Sequence, residues 1–157
     1  MIFPEFNTKA KVWLYISSKF LDDNAQQIIF DAFSVFKDTW KSHGDKVNGD
    51  LLFMDNYVLV IGANVLDDSM CGRAVDSQVR FIKEMEEKTG FSFMNRQNIC
   101  LKHSNEINVV PFSNLKSLFD KGQLDKNTLV YNSMIQLNNE NIVLPISHSP
   151  FGKLIFS

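Results

Sequence analysis

The part of this chain best suited to grip a ligand is Gly72-Arg73-Ala74-Val75-Asp76-Ser77-Gln78. A glycine ahead of an arginine, an aspartate and a serine, where helical spacing begins, combines free backbone N–H donors with a cation, a carboxylate and a hydroxyl. The structural alternative is that Asp76 and Ser77 only cap the helix while Arg73 pairs with Asp67 or Asp68. His43 joins the candidates because imidazole titrates near neutrality. The expected ligand-binding set is therefore His43, Arg73, Asp76 and Ser77, around a small polar pocket between the end of one helix and the start of the next.

Two functions suit that set. The leading one is a binding or regulatory module for an unknown small ligand or protein partner. The alternative is a small enzyme in which His43 serves as acid or base, oriented by Asp76 and Ser77. A structural subunit would have no cleft there. No residue is assigned as catalytic outright.

Other chemistries find less support. Gly44 and Gly49 have the spacing that begins a nucleotide P-loop, but Asp50 and Leu51 stand where lysine and serine or threonine are needed. An aspartate there would repel phosphate. His43, His103 and His148 are dispersed, and no spaced Cys/His cluster or H-E-x-x-H occurs, so no metal is expected. Cys71 precedes a helix, whose dipole could lower a thiol pKa, but Asp67 and Asp68 would raise it and no base is nominated. Ser77 lacks a G-x-S-x-G elbow. Trp13 and Tyr15 could stack on single-stranded nucleic acid, yet the basic and aromatic string of RNA-binding sheets is missing from residues 56–61. No cofactor is expected.

The elements that must position these residues follow from patterning. Lys11–Ser17 reads as a strand with both parities apolar: Val12, Leu14 and Ile16 on one face, Trp13 and Tyr15 on the other. A helix is expected over 23–43, with Asp23 and Gln26 as a capping box, an apolar stripe from Ala25 to Trp40, and Gly44 as its stop. Asp50–Ala63 divides at Asp55-Asn56 into a hairpin, a second helix ends near residue 89 before Gly90, and 97–102 makes a further strand. This order, β-α-β-β-α-β, predicts a ferredoxin-like α+β sandwich over 11–103.

Residues 104–157 read as a C-terminal α/β extension of the same single domain. It holds a short helix capped by Ser113, a strand at 128–131 and an apolar tail. Trp13 and Tyr15 are assigned to the sheet face away from the helices. The apolar segment 127–157, or a homodimer partner, is expected to cover that face.

A chain of 157 residues suits one such domain. With 45% hydrophobic and 22% charged residues it is globular in character, and the fourteen phenylalanines are better explained by packing than by an aromatic site. A formal net charge of −2 offers no broad positive field for duplex nucleic acid. Two cysteines make no disulfide framework, and Met1–Lys11 lacks the basic start and apolar run of a signal peptide. No apolar run approaches a membrane span. A cytoplasmic setting is expected.

Val12-Trp13-Leu14-Tyr15, the W-K-S-H-G of Trp40–Gly44, the G-R-A-V-D-S-Q of Gly72–Gln78 and Phe81-Ile82 together resemble a family of small uncharacterised bacterial proteins often labelled "ABC transporter ATPase". The resemblance implies emphasis on His43, Asp76 and Ser77. Arg73 stands where that family has a cysteine, and Cys71 lies two residues earlier. Neither a Walker lysine nor a signature loop accompanies the label. Millimolar ATP with magnesium is accordingly expected to leave the melting temperature unchanged, and a clear upward shift would contradict this.

Overall fold

The computed structural model describes residues 1–65 and 70–156. The fold is mixed α+β, with small antiparallel sheets. The first sheet has the order β1-β5-β4 and consists of β1 (Lys11–Ile16), β4 (Asn48–Met54) and β5 (Val58–Asn64). The second has the order β7-β6-β8-β9 and consists of β6 (Asn98–His103), β7 (Glu106–Pro111), β8 (Leu129–Tyr131) and β9 (Val143–Pro145). β2 (Lys41–Ser42) and β3 (Asp45–Lys46) form a separate short hairpin.

Side-chain alternation divides the interior into layers. Tyr15, Leu51, Leu59 and Ile61 pack with Ile29 and Phe33 of α1 (Asp23–Thr39) and with Phe81 and Ile82 of α2 (Gly72–Thr89). The opposite parity, Val12, Leu14, Ile16, Val58 and Val60, packs with Cys100 of β6 and Tyr131 of β8. The far side of the second sheet, Ile99, Leu101 and Val130, packs on Leu115 of α3 (Leu115–Asp120) and Ile155 of α4 (Gly152–Phe156).

The sequence-based assignment of faces is therefore reversed. Trp13 and Tyr15 look toward the helices, and the second sheet covers Val12, Leu14 and Ile16. Alternation alone cannot choose between two apolar parities, and the polar tips decide it. Tyr15 Oη donates to Gln78 Oε1 on α2 at 2.8 Å, while the Trp13 ring lies 6.2 Å from that of Trp40.

The fourth core strand also departs from expectation. β1, β5 and β4 make a three-stranded sheet, and β6, expected as its fourth strand, pairs instead with β7 and β8 in the second sheet. β7, at Glu106–Pro111, was not foreseen as a strand. It follows β6 after a two-residue turn in which Ser104 takes a positive φ of 52°. That hairpin keeps β6 beside its nearest neighbour in sequence.

Two helix boundaries differ as well. Asp22, not Asp23, caps α1, its Oδ1 accepting from Ala25 N–H at 2.7 Å. Gln26 closes no capping box and instead reaches Leu21 O and Asn56 Oδ1. The helix ends at Thr39, four residues short of 43, because His43 and Gly44 (φ 53° and 82°) form the two-residue turn of the β2-β3 hairpin. The early stop lets Trp40 turn into the core, where its Nε1 donates to Ala74 O at 2.8 Å. A Cβ on Gly49 would lie 2.8 Å from the Trp40 ring, so glycine is required beneath the indole. At α2 the expected end holds, with Gly90 at φ 78°. No helix among the described residues is long and apolar enough to cross a membrane.

Between the sheets, Asp55 at the β4-β5 turn accepts from Lys102 Nζ at 2.8 Å and from the Tyr131 hydroxyl. Burial alone would raise the Asp55 pKa, but these two hydrogen bonds and the Lys102 charge together hold it below its ordinary value. Burial, then the Asp55 contact, pushes Tyr131 well above the usual tyrosine range.

Trp40→Ala is expected to cost about 3 to 5 kcal/mol by leaving a large cavity, and Trp40→Phe about 1 kcal/mol for the lost indole bond. Denaturant unfolding of both variants checks this; a loss below about 1 kcal/mol for the alanine variant would place Trp40 outside the core. Asp55→Asn is expected to cost roughly 0.5 to 1 kcal/mol near neutral pH, because the ion pair is partly exposed to solvent. Because the folded pKa is depressed, this contribution is present above the unfolded value of 3.8 and is lost as pH falls through the lower folded value. The stability gap between wild type and Asp55→Asn should close in that acid window, and a gap independent of pH would refute the charged contact.

Candidate functional site

The β2-β3 hairpin carries its residues against the head of α2, where Cys71 is the N-cap with an extended backbone (φ −68°, ψ 154°). The Cys71 amide donates to Ser42 Oγ at 3.0 Å, joining the hairpin to the helix start. Ser42 is itself buried. The carbonyl of Cys71 accepts from Ala74 and Val75, which begins the helical ladder, and no side-chain cap bond closes this end of α2.

The electrostatics converge on sulfur. The Ser42 hydroxyl first, and then the backbone N–H groups of His43 and Ala74, stabilise the Cys71 thiolate and lower the thiol pKa to about 7. A slight desolvation opposes them, and the His43 side chain adds a small favourable charge. At neutral pH such a thiol is about half ionised, and thiolate is the form that attacks electrophiles and binds soft metals. Cys100 is the internal contrast: burial, then the Asp55 charge, pushes it up to about 12. Both cysteines are free.

Of the four expected site residues, His43 lies on the β2-β3 hairpin and Arg73, Asp76 and Ser77 lie on α2. His43 is exposed at the hairpin tip, and Arg73 and Asp76 are exposed on α2. Ser77 Oγ donates back to Arg73 O at 2.7 Å, an i to i−4 bond within the helix. Among the described residues no hydrogen bond joins His43 to Asp76 or Ser77. Asp76 and Ser77 are the fifth and sixth residues of α2, beyond the first turn, so neither caps it; that place belongs to Cys71. The alternative pairing of Arg73 with Asp67 or Asp68 lies outside the described residues.

Ser42 had no signal in the sequence, because its role depends on a hairpin where a helix end was expected. Cys71 did have one, its position ahead of the helix. Among the described residues no group of three His, Cys, Asp or Glu side chains is placed to hold a metal ion. Gln78, two turns below Cys71, is fully buried, and its Nε2 has no partner among the described residues.

Compared with known protein families, with curated proteins and with solved structures, the chain matches none, so its function must be argued from the chemistry of its own residues.

Proposed function

We propose that this protein is a binding or regulatory module whose responsive group is the Cys71 thiol, at the junction of the β2-β3 hairpin and α2. The observation that carries the reading is the Cys71 N–H to Ser42 Oγ bond. It ties the hairpin to the helix start at the same residue whose sulfur is activated, so a group added to sulfur would press on the contact that holds the two elements together. The resemblance to the small bacterial proteins labelled as transporter ATPases covers both W-K-S-H-G and the α2 head, but its emphasis falls on His43, Asp76 and Ser77. Its cysteine position is Arg73 here, so the Cys71 reading stands on the geometry alone. Free thiols and a thiolate near neutral pH suit the expected reducing, cytoplasmic setting. For the fold, we infer a ferredoxin-like unit over β1, α1, β4, β5 and α2 whose fourth strand has been drawn into the second sheet.

The reaction class is thiol–disulfide exchange with a small disulfide such as oxidised glutathione. The Cys71 thiolate attacks one sulfur, the S–S bond breaks, a mixed disulfide forms, and the departing thiolate takes up a proton from water. The rate of iodoacetamide alkylation at Cys71 is expected to inflect near pH 7, with Cys100 silent in the folded protein. Ser42→Ala should move the inflection upward. Glutathionylation should raise amide exchange over residues 41–46 and the first turn of α2. An inflection near the ordinary thiol value of 9.0, or a mixed disulfide that leaves those amides unchanged, would overturn the proposal.

A further inference from the structure

Segment 136–138 closes on the outer edge of β1, where Val12 N–H donates to Gln136 O at 3.0 Å and Asn138 N–H donates to Ala10 O at 2.9 Å. Beside this pairing lies a cavity of about 680 Å³, bordered by β1, by residues 133–136 and by Arg96 from the loop ahead of β6. The strand edge is already paired and Leu14 is buried, so the side chains around the cavity decide what it can hold.

Lys11 and Arg96 are the ionisable residues at its border, and both are cations. Among the described residues neither takes part in a salt bridge. Arg96 is positioned from two sides: its guanidinium lies over the Tyr15 ring at 5.2 Å, and its Nη1 donates to Leu14 O at a long 3.5 Å. Tyr15 is in turn held by its bond to Gln78. A guanidinium carries five N–H donors in a planar fork, so one long bond leaves most of that fork for a carboxylate.

The remaining border is largely apolar. Trp13 is half-buried, Phe151 is buried, and Met134, at 61% exposure, is one of the few large apolar side chains open to solvent. Apolar walls with a few polar groups, around roughly 300 to 1,000 Å³, are the usual make-up of a small-molecule site. An indole and a flexible thioether both pack well on the face of a flat ring.

We propose that this cavity binds a small aromatic carboxylic acid, its carboxylate accepting from Arg96 and attracted by Lys11, its ring against Trp13 and Met134. The two cations select against neutral and cationic analogues, and the apolar border selects against a bare inorganic anion. The site is separate from Cys71 and does not rest on the thiol reading.

The test titrates hydrocinnamate into the full chain, followed by calorimetry and NMR. Saturable binding is expected with a Kd at or below about 1 mM, with shifts at the Trp13 indole N–H and the Arg96 guanidinium, and with the same affinity in Cys71→Ser. Arg96→Gln, at an exposed position, should weaken binding about tenfold while keeping the native amide spectrum, and Arg96→Lys, which keeps the charge but loses the fork, should fall between. Hydrocinnamamide should bind at least about tenfold more weakly than the acid. No saturation by about 10 mM hydrocinnamate would overturn the proposal. So would equal affinity for the amide or for phenethylamine, native affinity in Arg96→Gln, or inorganic phosphate displacing the acid at equal concentration, which would reduce the cavity to a patch of positive charge.

Discussion

Burial of β1 on both faces is the constraint on which the rest of this structure depends. A strand whose alternate residues are all apolar cannot rest at the surface of a sheet, and here each parity has its own cover. Tyr15, with Trp13 beside it, is enclosed by α1 and α2, whereas Val12, Leu14 and Ile16 are enclosed by the second sheet. At roughly 1.5 to 3 kcal/mol for each large apolar side chain fully buried, these residues favour the layered arrangement strongly enough to oppose the entropy of ordering both covers. The N-terminal segment adds to this: Phe3 packs so close to Gly62 that a Cβ there would lie 2.5 Å from the ring. Buried Asn138 clamps the backbone of Phe3 through both its side-chain oxygen and nitrogen.

Burying a polar group between two sheets is costly unless it is paired, and the buried Tyr131 hydroxyl is paired by Asp55, a partly exposed carboxylate that also accepts from Lys102. Asp55 belongs to the tight turn that ends β4, Lys102 to β6 and Tyr131 to β8, so one carboxylate links the first sheet to two strands of the second. Apolar surfaces tolerate sliding; a carboxylate with two directed donors fixes how the layers sit. The same carboxylate suppresses ionisation of Cys100 nearby, which helps to keep that thiol inert.

Local chemistry was legible wherever one residue type dictates one backbone state. Gly90 stops α2, Asp55-Asn56 turns β4 into β5 with both residues at positive φ, and the α1 stripe was identified correctly through Phe33. What escaped was decided by competition between elements. The parity of β1 depended on Gln78 of a distant helix accepting from Tyr15, and the partner of β6 on a strand, β7, without a strong pattern of its own. His43-Gly44 can end a helix or turn a hairpin, and the register of Trp40 over Gly49 settled it. Part of the site was legible in the same limited sense: the α2 head lay where the sequence put it. In the proposed reading its focal residue is Cys71, at the cap and in contact with Ser42, while the carboxylate of Asp76 and the hydroxyl of Ser77 sit one turn further along.

The early end of α1 is therefore more than a boundary detail. Were the helix to continue to residue 43, Ser42 would be part of a helical turn, and no two-residue hairpin would carry it to the backbone of Cys71. Trp40 links the two outcomes, since its indole donates to Ala74 O in the first turn of α2 while its backbone carbonyl accepts from Val47 N–H at the base of the hairpin. A single buried aromatic thus sets the position of the hairpin relative to the helix start, and that position converts an ordinary cysteine into one ionised near neutrality. The activation of Cys71 is a consequence of core packing around Trp40, delivered through Ser42 and the backbone of His43.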